Sequence, residues 1–262
     1  TGKGWYTFNL VKQLLTLDHK NQYVLYTASE KTPFESHKNA TIKCIKASSW
    51  VWHYKVIKDL QSEKIDLFFA PTSYIIPAFA PKSLKTVITV HDLVAFLFPS
   101  THNTKAMLIE KLTCKKALKK ASAVFVVSEN TKKDLLKKFQ YPEQKIHFTP
   151  CAASTFFKKE VKPEELEQSK KELNLPEKFI LAVGTLEPRK NFSTLIKSFV
   201  IIKRKHPEYK LVIVGKKGWK YRLIEETLKH YHLEKDVIFP GYLSDESLKN
   251  VYHLASVFVF PS

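Results

Sequence analysis

An arginine and a lysine stand side by side in the run Val183-Gly-Thr-Leu-Glu-Pro-Arg-Lys-Asn-Phe192, between the strand-like Phe179 to Val183 and a helical pattern from Asn191 to Lys205. Two cations beside the positive end of a helix repel one another unless an anion fills the gap. A diphosphate suits that gap, with Arg189 forking onto its oxygens and Lys190 acting as a mobile point charge. Charge alone fits an exposed basic loop equally well. The place at a strand's carboxyl end, where open α/β sheets carry their ligand loops, favours the anion site. Gly184 is suited to a tight turn, Asn191 to capping the helix, and Glu187 is either an orienting partner of Arg189 or a solvated carboxylate.

His91 follows the strand-like Thr86-Val-Ile-Thr-Val90 and precedes Asp92. It reads either as a hydrogen-bonded structural histidine or as a site residue, with Asp92 as its orienting partner or as the cap of the next turn. Gly215 and Gly218 flank Lys216-Lys217 at another strand end, which suits close backbone approach to a ligand. Cys44, Cys114 and Cys151 lie far apart and show no Cys/His ligand spacing. That predicts no metal cluster and a reducing, cytoplasmic setting. No D-x-D run or cluster of His, Asp and Glu supplies metal ligands either. Trp5, Trp50, Trp52 and Trp219 read as packing residues.

The elements that hold these groups alternate short β-branched or aromatic runs with amphipathic helices, the pattern of parallel sheets covered on both faces. A chain of 262 residues exceeds what one core usually organises, so two domains are expected. In the first, strands are predicted at Tyr23 to Thr27, Thr41 to Ile45, Asp66 to Ala70, Thr86 to Val90, Ala123 to Val127 and Lys145 to Thr149. Helices are predicted over Trp5 to Leu17, Val51 to Gln61 and Lys105 to Lys120, with another starting at a Ser128 cap. The same grammar restarts at Phe179 and runs through three more strands and three helices to Val257-Phe-Val-Phe260. The charged stretch 157–176, with Pro163, Pro176 and one weak helix, reads as a linker between an N-terminal domain, 1–156, and a C-terminal one, 177–262.

Lys and Arg total 43 against 25 Asp and Glu, a net charge of +18 with a pI near 9.6. An anionic membrane or substrate, a nucleic acid, or simply solvated lysines could account for this. Nucleic acid is disfavoured, because the aromatic residues lie in apolar runs apart from the lysines and no helix-turn-helix, RRM or KH signature appears. Lys111, Lys115, Lys116, Lys119 and Lys120 cluster on the helix from Lys105 to Lys120, with Leu108, Ile109 and Leu112 among them. The opposite side, Ala106, Met107, Cys114, Ala117, Leu118 and Ala121, is suited to packing on the sheet. Such a helix fits either an interfacial surface or a solvated face over packed leucines. Ile65 to Pro81 is apolar but broken by three prolines, so no membrane span is expected. Without an initiator Met or a secretory signal, the sequence reads as part of a longer cytoplasmic chain.

The run Gly184-Thr-Leu-Glu-Pro-Arg-Lys-Asn191, Leu211-Val-Ile-Val-Gly-Lys-Lys-Gly-Trp219, Val237-Ile-Phe-Pro-Gly-Tyr-Leu-Ser-Asp-Glu246 and Val257-Phe-Val-Phe-Pro-Ser262 together resemble the donor-binding domain of family 4 (group 1) glycosyltransferases. Gly2-Lys-Gly-Trp-Tyr-Thr7, Val87-Ile-Thr-Val-His-Asp-Leu93 and Val126-Val-Ser-Glu-Asn-Thr131 resemble elements of the family's first domain, so the likeness covers essentially the whole sequence. It implies the GT-B architecture, two Rossmann-like domains with parallel sheets facing a central cleft, and anomeric retention without a metal or other cofactor. The donor would be a nucleotide-diphospho-sugar and the acceptor a glycan or lipid-linked precursor of the cell envelope or an exopolysaccharide, with the enzyme cytoplasmic or peripheral on the inner face of the membrane. By the same likeness Arg189, Lys190 and His91 would be catalytic. Gly184, Glu187, Gly215, Gly241, Tyr242 and Leu243 would lie on the donor side, and Gly2 and Gly4 in a loop near phosphate or acceptor. Lys3 departs from the small or apolar residue usual in that loop. The family's E-x7-E element would begin just beyond Ser262, and without it a nucleotide-sugar-binding protein lacking catalysis is the alternative.

Overall fold

Continuous apolar strands need cover on both faces, and each half of the chain provides it separately. The structure, a computed structural model, describes residues 2–34, 37–99, 104–219 and 221–262, with the side chains of Lys105 and Ala106 outside the description. The chain divides into two compact units, Thr1–Ala152 and Ala153–Ser262.

The first unit runs α1 (Gly2–Leu17), β1 (Tyr23–Thr27), β2 (Ala40–Cys44), α2 (Ser49–Ser62), β3 (Leu67–Ala70), α3 (Ile75–Phe79), β4 (Lys85–Val90), α4 (Val94–Leu97), α5 (Thr104–Lys120), β5 (Ala123–Val126), α6 (Glu129–Phe139) and β6 (Ile146–Phe148). Strands β3-β4-β5-β6 form one parallel sheet in that order, and β1 and β2 pair in parallel as a separate sheet. Side chains alternate across each strand, so Ile88, Val90, Val124 and Val126 point to one face, where Cys114, Ala117 and Leu118 of α5 and Ala121 just beyond it bury them. The small residues of α5 thus set the close approach of helix to sheet, as the sequence predicts. Ser128 accepts from the Thr131 N–H at 3.1 Å and starts α6 as expected.

The second unit runs α7 (Pro163–Glu172), β7 (Phe179–Val183), α8 (Phe192–Lys205), β8 (Lys210–Val214), α9 (Arg222–His230), β9 (Val237–Gly241), α10 (Asp245–Leu254) and β10 (Val257–Phe258), with a parallel sheet in the order β10-β7-β8-β9. Ile180, Ala182, Leu211 and Ile213 pack under α8 and α9. Phe179, Leu181, Val212 and Val214 form the other face with Val251 of α10.

The stretch 157–176 is not a linker. Pro163 opens α7, Glu164 and Glu165 lie in its first turn, Lys170 and Lys171 in its last, and Asn174 leaves it at φ +49°. Asn250 on α10 donates to Ser169 Oγ at 2.8 Å, and Leu173 and Leu175 enter the second unit's core. The helix shows little apolar periodicity because Leu166 is its one apolar side chain after Pro163, and Leu173 and Leu175 follow its end. Gly2 and Gly4 likewise stand in the first turn of α1 and not in a loop. Helical bonds from Thr7 Oγ1 to the Lys3 carbonyl and from Asn9 Nδ2 to the Trp5 carbonyl support that turn, where a glycine costs little.

Candidate functional site

At the carboxyl end of the second sheet the three loops after β7, β8 and β9 are joined by backbone bonds. Leu186 N–H donates to the Lys216 carbonyl, Gly218 N–H to that of Leu186, and Gly215 N–H to that of Gly241, at 2.9, 3.1 and 2.8 Å. A Cβ on Gly215 would fall 1.9 Å from the Gly184 carbonyl oxygen, and one on Gly218 2.9 Å from that of Leu186. The close approach that requires glycine at 215 and 218 is therefore between loops, not toward a ligand. Gly241 takes φ +85°, a conformation glycine alone adopts without strain.

On this frame Arg189 and Lys190 form a short 3-10 turn ahead of α8, whose first turn carries no acid to offset the positive helix end. Arg189 donates from Nε at 3.0 Å and from Nη2 at 2.7 Å to the same oxygen, Oε1 of Glu187. Lys190 Nζ sits 4.6 Å from the Phe260 ring centre, Lys216 Nζ 4.6 Å from that of Tyr242 and Lys217 Nζ 4.4 Å from that of Tyr221. Four cations thus gather on these loops, each held by a carboxylate or an aromatic face. Asn191 does not cap α8 through its side chain. It adopts φ +56° and donates from Nδ2 to the Pro261 carbonyl at 3.2 Å. Gly184 bends the chain out of β7 at φ +157°, a conformation that residues with a side chain rarely adopt. Tyr242 is exposed, whereas Leu243 is 9% exposed and its side chain belongs to the core with Val251.

The first unit finishes β4 differently. His91 Nε2 lies 2.8 Å from the Pro71 carbonyl oxygen, which can only accept, so Nε2 carries the hydrogen and Nδ1 of the neutral ring is an acceptor. The Tyr6 ring packs perpendicular to the imidazole with ring centres 4.9 Å apart, the Tyr6 hydroxyl reaches Thr89 Oγ1 at 3.2 Å, and Thr131 Oγ1 donates to the His91 carbonyl at 3.0 Å. Burial holds the His91 pKa below its ordinary value. The Pro71 bond and Asp92 oppose that shift and Lys3 adds to it. Asp92 Oδ1 accepts from the Val94 N–H at 3.1 Å, so Asp92 caps the next turn and does not orient the ring. Gly2 is exposed, with open space where a Cβ would stand.

On α5, Leu108 and Leu112 are 58% and 59% exposed and do not pack under a neighbouring element. Lys115, Lys116 and Lys119 are also exposed. Lys111 lies over Phe96, and Lys120 donates to the Ala80 carbonyl at 2.7 Å. Among the described residues no helix is long and apolar enough to cross a membrane, and no group of His, Cys, Asp and Glu could hold a metal ion.

Residues 1–155 match the family model described as Glycosyltransferase Family 4. The chain belongs to that family. Residues 163–262 match the model for Glycosyl transferases group 1, and that boundary includes α7 with the second domain. Among this chain's relatives is O-antigen chain mannosyltransferase B of Escherichia coli, 26% identical over 179 residues, covering 68% of this chain and 47% of that protein. Mannosylfructose-phosphate synthase of Agrobacterium fabrum is 33% identical over 92 residues, or 32% of this chain and 20% of that protein. The chain thus spans about half the length of the first relative and a smaller part of the second. The crystal structure of Anabaena HepE with UDP and glucose matches with a TM-score of 0.69 at 16% identity, covering 95% of this chain and 68% of that one. WaaG, a glycosyltransferase involved in lipopolysaccharide biosynthesis, matches with a TM-score of 0.67 at 14% identity, covering 97% and 70%. At these identities the likeness shows the fold, which is GT-B.

Proposed function

We propose that the whole protein is a retaining, metal-independent glycosyltransferase that moves a sugar from a nucleotide-diphospho-sugar to a cell-envelope or exopolysaccharide acceptor. The observation that carries this reading is the Arg189-Lys190 turn, two cations held at the carboxyl end of β7 beside the positive end of α8. Charge that grows on a departing diphosphate is stabilised by such fixed donors, which lowers the barrier to glycosyl transfer and takes over the work of a divalent ion. In the first unit the neutral His91 supplies an acceptor nitrogen for a sugar hydroxyl. The O-antigen mannosyltransferase among the relatives supports an envelope polysaccharide as the acceptor class. A thermal-shift screen of the full-length protein against UDP-, GDP- and ADP-sugars in EDTA tests the reading, since a ligand bound only by the native state raises the melting temperature. One donor class should stabilise the protein, and turnover of that donor should survive EDTA. A strict need for added magnesium or manganese would refute the metal-independent mechanism.

The reading extends to an anionic membrane surface as the place where a lipid-linked acceptor is met. Leu108 and Leu112 stand in the open beside Lys115, Lys116 and Lys119, and the Lys116 ammonium lies 4.9 Å from the ring centre of the half-exposed Phe79. Apolar side chains suited to a leaflet next to lysines suited to head groups fit an interfacial helix, each lysine contributing about 1 kcal/mol. The full-length protein should co-sediment with phosphatidylglycerol vesicles at low salt. Replacing Lys115, Lys116 and Lys119 by Glu should abolish that binding, and retention of it would refute the surface.

A further inference from the structure

A carboxylate beside a site for a diphosphate opposes the ligand's charge, so the presence of Glu187 there needs a physical reason. Its neighbours supply one. The Glu187 side chain is 16% exposed against 41% for Arg189, so the acid is the anchored partner and the guanidinium the accessible one. Glu187 holds φ −136° and ψ 156°, the extended conformation that Pro188 imposes on the residue before it. Its N–H donates to the Thr185 carbonyl at 2.8 Å and its carbonyl accepts from Lys190 N–H at 2.9 Å. Leu186, immediately before it, is fully buried and pairs with Lys217 across the loops. The turn at Pro188 then brings Arg189 back over the carboxylate, and two of the five guanidinium donors close on Oε1. The plane of the guanidinium is fixed, and three donors remain to meet an anion.

We propose that Glu187 is a positioning residue of the donor-diphosphate site, acting through Arg189 and not through the sugar. The proposal rests on the diphosphate reading of the Arg189-Lys190 turn. An arginine already held in place loses less rotamer freedom when it closes on a phosphate, and its donors stand ready for the charge that develops on the leaving group. The negative charge of Glu187 weakens anion binding in the ground state at the same time. Orientation and repulsion act in opposite directions on nucleotide affinity, while orientation dominates the rate.

A double-mutant cycle on the full-length protein separates these effects, using Glu187→Ala, Glu187→Gln, Arg189→Ala and the double variant Glu187→Ala/Arg189→Ala. UDP and GDP serve as calorimetric probes, and the donor selected by the thermal-shift screen serves for turnover. Glu187→Ala should lower kcat about tenfold and change UDP or GDP affinity by no more than about threefold, the signature of an interaction realised in the transition state. Glu187→Gln, whose amide oxygen accepts the same two N–H groups, should retain most of kcat. In the Arg189→Ala background the loss of Glu187 should have no further effect on kcat. If Glu187→Ala lowers the melting temperature of the ligand-free protein, Glu187→Ser repeats the cycle in its place. An effect on kcat of undiminished size in the Arg189→Ala background, a Glu187→Gln variant as slow as Glu187→Ala, or no effect of Glu187→Ala on kcat would each overturn the positioning role. Failure of the screen to select a donor, or of Arg189→Ala to alter diphosphate affinity and turnover, would instead refute the donor-site reading and the proposal with it.

Discussion

Past β4 the first unit holds a half-buried imidazole against a carbonyl and a tyrosine ring, whereas past β7 the second unit holds an arginine in the open against a carboxylate and a lysine against a phenyl ring. Both positions end a parallel strand, where open α/β sheets present ligand loops. Burial accounts for the difference between them. At His91 desolvation favours the uncharged ring, and a carbonyl fixes which nitrogen bears the hydrogen. Around Arg189 and Lys190 solvent and internal partners keep full charges tolerable without neutralising them. On the function proposed above, the first position would hydrogen-bond a neutral hydroxyl and the second would stabilise a dianion.

The largest effect should come from removing the charged side of this comparison. Arg189→Ala combined with Lys190→Ala deletes two charge-assisted contacts worth about 1.5 to 3 kcal/mol each, so UDP or GDP affinity of the full-length protein should fall roughly 100-fold or more. The melting temperature of the ligand-free protein should stay close to that of the parent, because both side chains lie in a loop outside the core. Calorimetry that finds unchanged nucleotide affinity would remove the second unit's half of the contrast.

A smaller effect is expected at Gly215, and it falls on stability. Gly215→Ala sets a methyl group 1.9 Å from the Gly184 oxygen, a backbone atom that cannot turn aside. Overpacking of this kind should cost about 2 to 3 kcal/mol. The melting temperature of the ligand-free protein measures it. A stable variant that lost only nucleotide binding would mean that this glycine serves the ligand after all, contrary to the loop-to-loop contact.

How far these features can be read from the sequence depends on how local their causes are. Phe179 to Val183 is legible as a buried strand because both faces are covered, and the apolar run is continuous as a result. The Glu187-Pro-Arg189 arrangement is legible for the same reason of proximity, since its partners are two residues apart. Lys190 on Phe260 and His91 on Pro71 are contacts between distant segments, and no local pattern announces them. The short helices α3 and α4 are hidden because five and four residues are too few to show a period. The burial of Leu243 is hidden because it stands beside the exposed Tyr242 while its own side chain turns into the core.

The smallest expected effect sharpens the neutral side of the comparison. His91 has its folded-state pKa held below the ordinary value of 6.5 by burial, with Lys3 and Asp92 as the charged groups acting on it in opposite directions. As pH falls from about 6.5, the unfolded chain takes up a proton at this position before the folded chain does. The stability that the neutral ring contributes is therefore present above 6.5 and is lost as pH drops through the folded-state value. Gln in place of His91 cannot titrate, yet its amide can still donate to the Pro71 carbonyl. Urea unfolding of the parent and of His91→Gln between pH 5 and 8 should show the parent losing stability relative to the variant on the acid side only. A difference that stays constant across that range would mean that the ring is not held neutral by the fold. The contrast between the two strand ends would then reduce to exposure alone.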